Sequence, residues 1–187
     1  MIQKHINLIV TGSAQANQAY ELYELLSKDY HVNIIVTENA EYFVKFPEDA
    51  NVFKKKYNGE KYEIGEEANH IAFRTNVDLN VVYPASSNYI AKIAHGIMDN
   101  LATMIYSFSC TRIPTLLYPA YHALLSDNPY ISRNIEMITE INHLTKVMNP
   151  KFGVFPDGEM GAGMLIKPLD VKATIDKMLQ KKLLLNK

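Results

Sequence analysis

The sequence predicts an α/β fold on a parallel β-sheet, and three observations carry that prediction. Short apolar runs alternate with stretches of helical periodicity, each run stops at a cluster of small polar residues, and no repeat or linker divides the chain. A strand that returns through a helix runs parallel to its predecessor, so the alternation itself implies a parallel sheet.

Ile6–Val10 is the first strand, followed at once by Thr11-Gly12-Ser13-Ala14; Ala19, Leu22, Leu25 and Leu26 then recur at helical spacing as far as Lys28. Val32–Val36 is the second strand, closed by Thr37-Glu38-Asn39-Ala40 and a second helix through Phe43. Residues 49–69 are polar, with Asn58-Gly59 as a turn, and read as an excursion outside the core. Asn80–Tyr83 is the third strand, and Pro84-Ala85-Ser86-Ser87-Asn88 leads from it into one long helix, Asn88 to Tyr106. Thr115–Tyr118 is the next strand and ends in Pro119-Ala120-Tyr121-His122. Arg133–Thr145 reads as a helix, Phe152–Phe155 as a strand and Val171–Leu185 as a closing amphipathic helix.

At 187 residues the chain suits a single domain over 1–187, and 48% apolar with 21% charged residues is globular composition. A formal charge of −1 gives no general attraction to nucleic acid or to anionic membranes. Lys54-Lys55-Lys56 and Lys181-Lys182 read as solvated faces. The single cysteine, Cys110, excludes an internal disulfide and fits a reducing compartment. No window approaches the roughly 20 apolar residues of a membrane span, and the N-terminal residues lack a signal-peptide pattern. The expected location is cytoplasmic.

In an open α/β sheet, ligands bind outside the carboxyl ends of the strands. All four polar clusters fall on that edge. Gly12 allows close backbone approach, Ser13 offers a hydroxyl, and the helix after them offers amides to a phosphate. The loop is not GxGxxG and there is no P-loop. Serine is also a favoured helix N-cap, so Ser13, Ser86 and Ser87 do not separate the two roles by themselves. Of the six histidines, His70 closes the polar excursion, His122 lies on the ligand edge, and His95 sits inside the predicted helix. With no HExxH and one cysteine, no metal centre is expected.

The ordered set Thr11-Gly12-Ser13, Thr37-Glu38-Asn39-Ala40, Asn69-His70-Ile71, Pro84-Ala85-Ser86-Ser87-Asn88, Gly96-Ile97-Met98-Asp99-Asn100-Leu101 and Pro119-Ala120-Tyr121-His122 resembles the homo-oligomeric flavin-containing cysteine decarboxylases. That family includes phosphopantothenoylcysteine decarboxylases and epidermin-type peptidyl-cysteine decarboxylases, and the similarity runs from the first strand to Pro168. It implies a Rossmann-like (flavodoxin-like) three-layer sandwich, bound FMN, and trimers that can associate into dodecamers with flavin sites between subunits. Carried over by position, Gly12, Ser13, Ala14 and Thr37 would approach the phosphate or ribityl chain. Ser86, Ser87 and Asn88 would line the cofactor, and Asp99 and Asn100 would shape the flavin and subunit contact. In the family reaction the flavin oxidises a cysteine thiolate towards a thioaldehyde, and carbon dioxide leaves as the thiocarbonyl accepts the electrons. His70 matches the family's active-site histidine, a group suited to moving a proton near neutral pH.

Three departures bear on activity. Where the family has the substrate-binding asparagine of a PxMN motif, this chain has His122. The segment Asp157-Gly158-Glu159-Met160-Gly161-Ala162-Gly163-Met164, within a flap expected over residues 153–168, has Asp157 in place of a catalytic cysteine and Met164 in place of an arginine. Tyr89 replaces a threonine. The missing cysteine serves the second half of the pantothenate-pathway reaction. The resemblance therefore favours a decarboxylase that releases an ene-thiol from a peptide's C-terminal cysteine or from a cysteine conjugate. Two alternatives are a flavin prenyltransferase-like enzyme and a non-catalytic flavin-binding regulatory subunit.

Overall fold

The computed structural model describes residues 3–53 and 76–185, so Asn58-Gly59 and the His70 segment lie outside the described residues. Its main sheet comprises β1 (His5–Val10), β2 (His31–Val36), β3 (Val52–Phe53), β4 (Leu79–Ala85), β5 (Thr115–Pro119) and β6 (Thr145–Val147). Their order is β3-β2-β1-β4-β5-β6, and every pairing is parallel. Helices α1 (Gln18–Leu26), α2 (Ser87–Ala94), α3 (Leu101–Ser109), α4 (Pro129–Ile141) and α5 (Pro168–Leu185) cover both faces. This is the α/β fold on a parallel sheet that the strand–helix alternation predicts, in the flavodoxin-like three-layer form that the family resemblance implies.

The central strands are apolar on both faces because helices cover both. Ile6, Leu8 and Val10 of β1 pack with Leu22 and Leu26 of α1 and with Val171, Ile175 and Leu179 of α5. Ile9 points the other way and shares a second core with Ile90 and Ile93 of α2, Ile105 of α3 and Ile138 of α4. On the face of Ile9 a rail of amides also crosses the sheet. Asn51 Nδ2 donates to Asn33 (2.9 Å), Asn33 Nδ2 to Asn7 (3.0 Å) and Asn7 Nδ2 to Asn80 (2.9 Å). Asn80 Nδ2 closes the row on Ser109 Oγ at 2.8 Å. Asn7 is register partner to both Asn33 and Asn80, and Asn7 and Asn80 are fully buried. A slipped strand would leave those amides unpaired in the interior, so the rail fixes the register and with it the heights of the strand ends.

The long helix predicted from Asn88 to Tyr106 is in fact two. Gly96 adopts φ +67 and ends α2: its amide donates to Ile93 O, and the Ile97 amide donates to Lys92 O, a Schellman closure. Asn100 then caps α3 in a reciprocal capping box with Thr103. The helix expected over Arg133–Thr145 starts earlier, at Pro129 behind the Asn128 cap, and ends at Ile141. Asn142 turns the chain there, its Nδ2 donating to Thr145 Oγ1 at 2.9 Å, and Thr145 opens β6. The helix expected through Phe43 is a single 3-10 turn, Glu38–Ala40. The strand expected at Phe152–Phe155 is β7 (Lys151–Val154), paired antiparallel with β8 (Met160–Met164) in a hairpin apart from the main sheet. No described helix is long and apolar enough to cross a membrane.

Candidate active site

The chain runs from β1 outward to β2 and β3, then returns to place β4 on the other flank of β1. The carboxyl ends of β1 and β4 therefore form the switch point of the sheet, where open α/β folds bind ligands. Thr11 stitches this point together. Its Oγ1 donates to Pro84 O at 2.8 Å and accepts the Ser86 amide at 2.8 Å.

A cavity of about 260 Å³ opens there. Thr11 and Gly12 form its β1 side, and Thr37, Glu38 and Asn39 its β2 side. Ser86 comes from the β4 end, Asn88, Tyr89 and Lys92 from α2, and Asp99 and Asn100 from the turn before α3. A Cβ on Gly12 would lie 2.5 Å from Asn39 Cβ, so glycine is what lets the two loops close on each other. Ser86 fills both roles left open by the sequence: its Oγ caps α2 by accepting the Tyr89 amide at 3.2 Å, and it faces the cavity. Asn100 is fixed at both ends, Oδ1 accepting the Thr103 amide at 3.1 Å and Nδ2 donating to Asp99 at 2.9 Å. Asp99 also pairs with Lys92. Burial pushes the Tyr89 phenol well up, which keeps it the donor to Ala102 O.

Of the residues singled out from sequence, Gly12, Thr37, Ser86, Asn88, Asp99 and Asn100 share this cavity; Ser13, Ala14 and Ser87 do not line it. Ser13 Oγ accepts the Gln15 amide at 3.3 Å in a local turn. Helix α1 starts only at Gln18, so it does not present its first amides directly behind Gly12 as expected. Ser87 Oγ is buried and has no hydrogen-bond partner among the described residues. Sequence reasoning missed Lys92, although its i+4 spacing from Asn88 puts both on one helix face. Among the described residues no cluster of three or more His, Cys, Asp or Glu could hold a metal ion.

The β7–β8 hairpin packs over the loop after β5. A Cβ on Gly161 would meet Ala123 at 2.8 Å, and one on Gly163 would meet Tyr121 O at 2.1 Å. Gly163 O accepts from the Tyr121 amide and from Gln15 Nε2, both at 3.1 Å, while Gln15 Oε1 accepts the Leu165 amide at 2.8 Å. Gln15, another residue missed from sequence, thus ties the hairpin base to the β1 loop. At the tip, Gly158 has φ +89, and Asp157 Oδ1 accepts the Glu159 amide at 3.2 Å. Asp157 Oδ2 meets His122 Nε2 at 2.6 Å. That hydrogen bond from His122 is the main cause holding the Asp157 carboxyl below the usual carboxylate range. His122 and the tip residues lie outside the lining of the switch-point cavity.

A family model described as Flavoprotein matches residues 1–180. The chain belongs to the flavoprotein family. A probable phosphopantothenoylcysteine decarboxylase of Streptococcus mutans is 32% identical over 182 residues, 95% of this chain and 96% of the relative. A phosphopantothenoylcysteine decarboxylase of Oryza sativa is 27% identical, over 90% of this chain and 77% of its own. Among solved structures, a PPC decarboxylase mutant complexed with pantothenoylaminoethenethiol superposes with TM-score 0.84 at 24% identity, covering 96% of this chain and all of that one. The epidermin biosynthesis protein EpiD of Staphylococcus aureus gives TM-score 0.70 at 19% identity, covering 91% of this chain and 99% of its own. Both share the fold of this flavoprotein.

The switch-point residues fit a flavin mononucleotide. Thr37 and Ser86 offer hydroxyls, Asn88 offers an amide, and the bare backbone of Gly12 admits close approach, while Thr11 and Asn100 hold the wall through their own hydrogen bonds. The cavity falls below the roughly 300–1,000 Å³ of ordinary ligand pockets.

Proposed function

We propose that this flavoprotein is an FMN-dependent decarboxylase of a cysteine-bearing substrate, either a peptide with a C-terminal cysteine or a cysteine conjugate. The observation that supports it most directly is the convergence of three strand ends and the α2–α3 turn on one polar cavity at the switch point. When bound, FMN supplies the two-electron oxidation of the thiolate. Gly12 and Thr37 hold the phosphate and ribityl end with Ser13 and Ala14 in the adjoining loop, and Ser86 and Ser87, at the start of α2, line the cofactor. Asn88, Asp99 and Asn100 shape the rest of the site. His70 moves the proton during thiol oxidation. His122 receives the substrate carboxylate, and residues 153–168 act as the flap.

The one thiol of the chain does not serve the site. Cys110 lies at the far end of α3, bordering a groove with Met137 and Ile141, and burial pushes its pKa up. The product is therefore the ene-thiol. Assembly as a trimer, or as a dodecamer built from trimers, completes the cavity, and the protein works in the cytoplasm. One observation favours a second reading, a flavin-binding regulatory subunit: both nitrogens of His122 are engaged within the protein. Incubation of the FMN-loaded protein with cysteine-ended peptides separates the two. Mass loss corresponding to carbon dioxide plus two hydrogens supports the enzyme; flavin binding with no such product supports the regulatory subunit.

A further inference from the structure

His122 and Asp157 belong to different segments, the loop after β5 and the hairpin tip, yet their side chains meet at 2.6 Å. His122 Nδ1 accepts the Leu124 amide at 3.3 Å, so the ring proton sits on Nε2 and is donated to Asp157. The ring also rests against Phe155, with centroids 5.1 Å apart. An imidazole held this way presents one N–H and aims it at a carboxylate. Any other carboxylate reaches that N–H only if Asp157 withdraws.

Asp157 is free to do so. Its side chain is 53% exposed, and nothing lies within 4 Å of where a Cβ would stand on the neighbouring Gly158. At the base of the hairpin, by contrast, Gly161 and Gly163 sit too close to Ala123 and Tyr121 to admit even a methyl group. The tip lies beyond that close packing.

We infer that His122 is a carboxylate-binding site whose resident occupant is the flap's own Asp157. The substrate carboxylate and the hairpin tip then compete for one N–H, an inference that rests on the proposed role of His122. Two consequences follow from mass action. The internal carboxylate lowers the apparent affinity for every external one by the fraction of time the tip is withdrawn. Small carboxylates that lack further contacts are discriminated against, which is specificity by built-in competition.

The test uses FMN-loaded protein carrying ¹³Cε1-histidine, with the His122 signal assigned through His122→Asn, and acetate as the probe. Asp157→Asn keeps the side-chain shape and an acceptor for the Glu159 amide but replaces a charge-assisted hydrogen bond by a neutral one about half as strong. Acetate should then saturate the His122 signal at a concentration about three- to tenfold lower than in the parent. Glu159→Gln removes a charge from the same turn while leaving the His122–Asp157 contact in place, and should leave the midpoint unchanged. Equal midpoints for parent and Asp157→Asn, an equal shift from Glu159→Gln, or no response of His122 to acetate in any variant would overturn the inference. Acetate carries no thiol. Failure of the cysteine reading shows separately, as absence of product from a cysteine-ended peptide.

Discussion

Thr11 Oγ1 bridges the two strands that frame the cavity, donating to Pro84 O and accepting the Ser86 amide, each at 2.8 Å. Thr11 is 1% exposed, and Pro84 O also accepts the Thr11 amide at 3.3 Å, so loss of the hydroxyl falls mainly on the Ser86 amide. Thr11→Val should destabilise the protein by about 1–3 kcal/mol, chiefly through the Ser86 amide that loses its acceptor. It should also weaken FMN binding by displacing Ser86. Thr11→Ser should retain most of both. Denaturant titration and flavin fluorescence titration of the three proteins check this.

Gly12→Ala should leave the fold intact and cost at least tenfold in FMN affinity. The added methyl lands 2.5 Å from Asn39 Cβ and 3.2 Å from the Asn39 carbonyl carbon, so the β2 loop must retreat from the cavity wall. Purified variant protein should be colourless at FMN concentrations that turn the parent yellow. Unchanged flavin affinity would show that the two loops do not clamp the cofactor.

Asn80→Leu should unfold at markedly lower denaturant than the parent. It removes the acceptor used by Asn7 Nδ2 and the donor to Ser109, with about 0.5–1.5 kcal/mol lost for each hydrogen bond. Asn51→Ala, at the exposed end of the same rail, should cost less than about 0.5 kcal/mol. Comparable losses at the two ends would mean that the rail does not fix the register.

The hairpin tip should respond to acid with a definite sign. Contact with His122 lowers the Asp157 pKa, so the closed tip gains stability above the ordinary carboxylate range and loses it as pH falls through the depressed value. Among the described residues the imidazole pairs with Asp157, and Glu159, the other carboxyl of the turn, forms no hydrogen bond or ion pair with it. Acid opening should therefore vanish in Asp157→Asn and persist in Glu159→Gln. The ¹³Cε1 signal of His122 followed downward from neutral pH reads it directly.

Ile97 and Met98 are 46% and 48% exposed in the turn that brings Asp99 and Asn100 to a cavity smaller than ordinary pockets. We expect a second copy of the chain to cover them. Sedimentation should give a trimer or a multiple of it, and Ile97→Lys with Met98→Glu should lower assembly and flavin affinity together. A monomer that holds FMN would refute this assembly.

What was legible in the sequence was local. Apolar runs ending in Thr11-Gly12, Thr37 and Pro84-Ala85-Ser86 marked strands and their ligand edge, because both signals depend only on neighbouring residues. The break between α2 and α3 is also encoded locally, by Gly96 as a helix stop and Asn100 as a cap, while apolar Ile93, Ile97 and Leu101 continue a helical spacing across it. Partners far apart in the chain were not legible. Nothing near Gln15 announces the hairpin base 148 residues later, and nothing near Asn7 announces Asn80.

The sequence by itself determined the class of fold, the polar strand ends and the family pattern, with His122 and Asp157 among the positions at which it departs from that pattern. Only the tertiary structure decided that those two departures touch. Their meeting depends on how the hairpin packs through Gly161 and Gly163 onto the loop after β5. Such packing is a property of two surfaces fitted in space, and no periodicity along the chain encodes it.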